Sequence, residues 1–279
     1  MIPNRKALVC IGLLVIAGAV QAQTFINTCP FVISSPGDYL LSADLTCGGG
    51  DGITINTSNV RLALEGHTIT AGVGANRAIV ASTSSGAFQN VRILGPGLIT
   101  NGGANTFSAG VSLLFLFNSE VSGITVLGSG TGIFTAECTS LTITANTLGR
   151  NTVGLDLENA GATVSKNDVS GNGTGILYQN IGAPMTSTVS HNVINGNTGV
   201  GASIAANAGG VVTFGNNVIS GNGQDGIFVS QLPGTSGIFV TNNTSLANRD
   251  FDLFSNNPNC SGQVWSGNKF FTANQSCIH

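Results

Sequence analysis

Asparagine returns along the second half of this chain at nearly fixed intervals, and that recurrence limits the possible folds more than any other feature. It occupies Asn146, Asn167, Asn192, Asn217, Asn243 and Asn268, at steps of 21, 25, 25, 26 and 25 residues. A second series, Asn151, Asn172, Asn197, Asn222 and Asn248, trails the first by 5 residues each time. Glycine-led apolar segments keep the same beat: Gly132-Ile133-Phe134, Gly154-Leu155-Asp156, Gly175-Ile176-Leu177 and Gly226-Ile227-Phe228. A period of about 20–50 residues marks a solenoid, whose units bury their apolar faces only against neighbouring units. Equivalent residues recur once per coil rather than once per hairpin. Each short strand therefore pairs with one a full coil away, parallel and in register, at about 4.8 Å per coil. The expectation is an all-β solenoid, a parallel β-helix of about eight coils with capped ends.

The first 22 residues read as an export signal. Arg5 and Lys6 form a basic start, Ala7 to Val20 is apolar, and Val20-Gln21-Ala22 is a small-x-small cleavage site. That run is shorter than the roughly 20 residues a membrane span needs. No transmembrane span is expected after cleavage, and the mature protein is expected to be secreted or periplasmic. Removing both bases leaves 7 basic against 12 acidic residues, a formal charge of −5. Without a basic stripe to meet phosphate, nucleic acid is not an expected partner. Forty glycines and 42% apolar residues at regular spacing argue for tight turns and stacked strands, not disorder.

Beyond the signal, residues 23–51 are expected to cap the rod, 52–258 to form the β-helix, and 259–279 to supply a last coil and C-terminal cap. Cys29 and Cys47 lie near one end, Cys260 and Cys277 near the other. Paired as Cys29–Cys47 and Cys260–Cys277 they would staple the terminal coils, which lack a neighbour on one side. Cys138 sits inside a repeat and reads as a buried free thiol. Trp265 reads as end-cap packing.

The repeats Asn192-Val193-Ile194-Asn195-Gly196-Asn197 and Asn217-Val218-Ile219-Ser220-Gly221-Asn222, with Gly52-Ile53-Thr54-Ile55 and Gly66-His67-Thr68-Ile69 upstream, carry a family resemblance. Over roughly residues 50–275 the chain resembles right-handed parallel β-helices of the pectin-lyase-like superfamily. It is most similar to exported repeat proteins of the carbohydrate-binding and sugar-hydrolase group. The resemblance implies the right hand of the helix. Its superfamily includes polysaccharide lyases, hydrolases and epimerases, adhesins, and a periplasmic family linked to copper enzyme maturation.

The asparagines are expected to stack as ladders that satisfy turn groups inside the rod and to tolerate the left-handed backbone of a sharp corner. With the glycines aligned, Ile133, Leu155, Ile176 and Ile227 point inward, as do Thr135, Leu157, Tyr178 and Val229. Phe134, Asp156, Leu177 and Phe228 then point outward, followed by Ala136, Glu158, Gln179 and Ser230. Asp156 and Glu158 share one face about 7 Å apart, a spacing at which two carboxyls can serve as acid and base on a glycoside. Phe134, Asp156, Gln179 and Phe228 form the candidate glycan-binding set. The plainer reading of the acids is a solvated pair. Lys166 and His191 each precede a ladder asparagine and should stack on adjacent coils, where a base could abstract a proton beside a uronate carboxylate. The plainer reading is two exposed polar residues. Arg150 is the only nearby arginine. His67 reads as structural and His279 as mobile.

No histidine or cysteine has metal-ligand spacing, no Asp-rich calcium repeat is present, and no metal or cofactor is expected. Thr54, Thr68 and Thr70 hint at an ice-binding array, but Thr-x-Thr does not recur in every coil. Two readings remain open: a protein binding polysaccharide or cell-envelope glycan along its lateral face, and a polysaccharide lyase, epimerase or glycoside hydrolase. Few long connections exist to build a cleft, the longest running around Gly95–Ser108 and Ile181–Thr188.

Overall fold

The computed structural model describes residues 23–82, 86–182, 184–206, 209–231 and 237–279. The proposed export signal lies outside them. Short strands with alternating buried and exposed residues stack into three large parallel sheets, in the pattern expected of strands half buried against a common core, and Phe88–Gln89 pairs with Leu116–Phe117 in a small fourth sheet. Sheet I has ten strands and contains the glycine-led segments, among them Thr131–Ala136, Val153–Glu158, Thr174–Asn180 and Ile227–Gln231. The chain then turns into sheet II, of eleven strands, and next into the nine strands of sheet III, before starting the following coil. Among the described residues, no helix is long and apolar enough to cross a membrane.

Nine strands in sheet III give nine turns, one more than the sequence spacing suggests, and a rod about 40 Å long. The added turn comes from the N-terminal segment. Thr24–Ile26 and Gly37–Leu41 join sheet II, Phe31–Ile33 joins sheet I and Leu45–Cys47 joins sheet III. Leu98–Thr100 likewise adds a strand inside the connection expected to be irregular. The largely apolar run from Gly110 to Phe117 does not form one strand. Ala109–Leu114 ends in a corner at Phe115, which has a left-handed backbone (φ 57°). Five apolar residues in a row cannot all face inward from a pleated strand, so the chain turns there.

The inward residues stack coil upon coil. Leu113, Thr135, Leu157, Tyr178, Ile204 and Val229 are register partners in sequence, and all are buried. The lead glycines are needed for close approach. A Cβ on Gly154 would lie 2.7 Å from the Gly175 carbonyl oxygen and 2.9 Å from the Asn172 amide.

Both asparagine series form ladders. The backbone N–H and Nδ2 of Asn146 donate to Oδ1 of Asn167, each at 3.0 Å, and Nδ2 also donates to the Val121 carbonyl at 3.1 Å. The pattern repeats through Asn192, Asn217 and Asn243 to Asn268. The second ladder runs from Asn151 to Asn248 and ends on Oδ1 of Asp252, a buried carboxylate that terminates a row of donors. The left-handed residue is the one before each ladder asparagine, not the asparagine itself. Ala145, Lys166, His191, Asn216, Asn242 and Gly267 hold that place at the corner between sheets II and III, with φ between 55° and 66°.

Both expected disulfides are present, with Cα–Cα separations of 5.2 Å for Cys29–Cys47 and 6.0 Å for Cys260–Cys277, and Cys138 is free and buried. The second pair closes a 17-residue separation. Replacing Cys260 and Cys277 by serine is expected to cost about 3 kcal/mol of chemical stability, read as a lowered urea midpoint. An unchanged midpoint would show that the end is held by packing alone.

Candidate functional site

The outer face of sheet I carries two rows of side chains fixed by strand register. One runs Ser112, Phe134, Asp156, Leu177, Ser203, Phe228 and Phe254. The other runs Leu114, Ala136, Glu158, Gln179, Ala205 and Ser230. Asp156 faces outward as expected, but it is not solvated. With Phe134 on one side and Leu177 on the other it is only 9% exposed, and its Oδ1 is buried with no hydrogen-bond partner. Burial pushes its carboxyl up to about 6, with the Glu158 charge adding to the effect.

Two shallow depressions flank this residue. One of about 420 Å³ is lined by Arg77, Ser112, Leu114, Thr131 and Phe134 among others. The other, of about 230 Å³, is lined by Glu158, Asn159, Gln179 and Ile181 at the corner between sheets I and II. Phe228 stacks on Phe254, with ring centroids 5.2 Å apart and planes 14° from parallel, so one of its faces is covered by protein. It lies four coils from Phe134, about 19 Å along the rod. Sequence reasoning missed Phe115 and Phe117, which are exposed at 44% and 46% where the chain leaves Leu114. A bulky residue with positive φ is rare, and the length of that apolar run was the available signal.

Lys166 and His191 do occupy the same corner on adjacent coils and are exposed. That corner joins sheets II and III, whereas Asp156 and Glu158 lie on the outer wall of sheet I, so the four do not share a cleft. Arg150 stands at the corner between sheets III and I. Among the described residues, no ion pair joins it to either acid. Thr54 lies on sheet I, and Thr68 and Thr70 on sheet III. A different column, Thr142, Thr163, Thr188 and Thr213, aligns on sheet II and is ended by Phe239.

Residues 89–278 match the family model described as periplasmic copper-binding protein (NosD). The chain belongs to this NosD family. No curated protein matches it significantly. Among solved structures it is similar to the A-module of the Azotobacter vinelandii mannuronan C-5 epimerase AlgE4, at 14% identity and a TM-score of 0.60. That match covers 79% of this chain and 65% of the module, so the NosD-family chain spans just under two-thirds of the module's length. The AlgE6 A-module of the same organism gives 14% identity and 0.59 over 91% of this chain and 80% of that one. At such identity the likeness shows the parallel β-helix alone.

The family description raises copper, and the donors present do not fit it. Copper favours imidazole and soft sulfur held in one place. His67 faces Asp44, its Nδ1 3.2 Å from Oδ1, while His191 sits at the II/III corner and His279 bonds back to the Cys277 carbonyl at 3.1 Å. Four cysteines are in disulfides, and burial pushes the Cys138 thiol up to about 11, far from the thiolate a metal needs. Among the described residues, no three His, Cys, Asp or Glu side chains come together as a metal site.

Proposed function

We propose that the outer face of sheet I around Asp156 binds a polysaccharide, and that the protein does so in the periplasm or outside the cell. One observation carries the reading. A nearly buried carboxyl with an unpartnered oxygen sits on the outside of a regular sheet, between two apolar side chains. Leaving a buried acceptor unpaired costs about 1–3 kcal/mol, and a hydroxyl or amine of a ligand would recover it. Phe134 and Leu177 offer apolar surface to the C–H faces of sugar rings, with Gln179 and Glu158 as polar neighbours. The row extends straight along the rod, as a linear polymer requires. The periplasmic family and the two disulfides support an exported protein that meets such polymers.

The test is affinity electrophoresis through neutral, acidic and amino polysaccharides. Retardation by at least one of them is expected, weakened about tenfold or more by Phe134→Ala, which truncates a contact at the centre of the face. Migration unaffected by every polymer would end the reading.

A second reading rests on Asp156 together with Glu158. A carboxyl protonated up to about pH 6 is suited to act as a general acid, and Glu158 lies two residues along the strand on the same face. A separation of about 7 Å is nearest that of inverting glycosidases. Release of new reducing ends, abolished by Asp156→Asn with binding retained, would establish it. Lys166 and His191 have no part in either reading.

A further inference from the structure

We infer that the glycan held on this face carries free amino groups, and that Asp156 and Glu158 together receive one ammonium. This rests on the polysaccharide-binding reading above and narrows it to one class of ligand. No lysine, arginine or histidine occurs in the two outward rows, whose only charged members are Asp156 and Glu158. Arg77, beside the larger depression, is already neutralised. Its Nε donates to Asp51 Oδ1 at 2.9 Å and its NH2 to Oδ2 at 2.6 Å. Further along, Asp225 precedes the strand Ile227–Gln231, its charge disfavoured first by burial and then by the neighbouring Asp250. Arg150 and Arg249 stand off the rows, near the corner between sheets III and I.

A polyuronate brings one carboxylate per sugar and would lay those charges against two acids with no cation between them, which is a repulsive fit. An ammonium brings the complementary charge to the same pair. It carries three donors and no acceptor, and the unpartnered Asp156 Oδ1 is an acceptor waiting in an otherwise enclosed position. The acidic pair would not by itself mark a site. The second observation is that enclosure: Asp156 is more than nine-tenths buried and points out through the row between Phe134 and Leu177. Those two apolar side chains bracket a pyranose whose amino group reaches the carboxyl. Ion pairing in so enclosed a place is stronger than at an open surface.

Calorimetric titration with three hexamers separates the possibilities: β-1,4-linked glucosamine, its fully N-acetylated counterpart, and galacturonic acid, all at about pH 6.5, where the Asp156 carboxyl is mostly ionised and the amine keeps its proton. The glucosamine hexamer is expected to bind at least about tenfold more tightly than either of the others, the scale of one charge-assisted hydrogen bond. Asp156→Asn and Glu158→Gln should each remove most of that preference while the urea midpoint shows the rod intact. Equal or tighter binding of the acetylated or uronate hexamer overturns this inference and leaves the broader glycan-binding reading standing. A preference that survives both substitutions also overturns it, since the ammonium then binds elsewhere. Failure to bind any hexamer, together with unaltered electrophoretic migration in every polysaccharide, removes both.

Discussion

Replacing Asn192 with leucine is expected to lower the stability of the rod by about 4 kcal/mol, although leucine has nearly the same size and the site is fully buried. The cost follows from the ladder. Asn192 Oδ1 accepts from the backbone N–H of Asn167 at 3.0 Å and from its Nδ2 at 2.9 Å. Its own Nδ2 donates to the carbonyls of Val164 and Ser190 and to Oδ1 of Asn217, all within 3.1 Å. Leucine would orphan the buried Asn167 backbone N–H and remove partners from four further groups, of which only the Ser190 carbonyl lies in a part-buried contact. An unsatisfied buried group costs about 1–3 kcal/mol, and only part of the lost set can find a substitute. Asn248, half-buried near the end of the second ladder, should matter less. Because each coil touches only its neighbours, the defect also divides the stack. Hydrogen exchange should therefore accelerate first in the coils on either side of Asn192. A drop in the urea midpoint worth less than about 1 kcal/mol would show that the ladder is redundant with sheet pairing.

Those asparagines also show what was legible in the sequence. Side chains that must meet their counterparts one coil away impose a constant step, so period, sheet direction and inward-facing residues could all be read from Asn146 to Asn268. Less legible was anything not repeated. Residues 24–47 form a full turn without a ladder asparagine, and nothing in their spacing announces it. Lys166 and His191 looked like a pair because they recur with the repeat. They recur because the corner before a ladder asparagine needs a left-handed residue, a demand that Ala145 and Asn216 meet equally well. The candidate site was half legible. Alternation placed Asp156 outside, but its enclosure depends on which side chains the coils above and below bring alongside it. The glycine alignment already brings Phe134 and Leu177, 22 and 21 residues away, into its column, but how closely they shut over the carboxyl is a matter of packing that spacing does not give.

Asp156 supplies the other large expected effect, and its sign runs against the usual carboxylate. Its folded-state pKa of about 6 lies above the ordinary aspartate value of 3.8. Between roughly pH 4 and pH 6 the folded protein keeps a proton that the unfolded chain has released, so unfolding there releases a proton and stability falls as pH rises. The loss is complete above about pH 6 and amounts to roughly 3 kcal/mol at most. Asp44, Asp51 and Glu120 act in the opposite sense. Hydrogen bonds from Thr68 and His67 hold Asp44 low, and Arg77 does the same for Asp51. Glu120 is held low by Ser122 and Arg92 against the opposing effect of burial. Their stabilisation is present at neutral pH and lost as pH falls through their depressed values. Asp156→Asn isolates the first effect, because only the titration at that position is removed. The variant is expected to match or fall slightly below the wild type near pH 4, where the native carboxyl is neutral. It should exceed the wild type by about 2 kcal/mol at pH 7, where ionising a shielded carboxyl penalises only the native side chain. Urea midpoints of both proteins across this range provide the measurement, and a constant difference between them would mean that Asp156 is open to water. A stability gain from removing an acid is the mark of a side chain kept at a cost to the fold, as expected of a group held ready for a ligand.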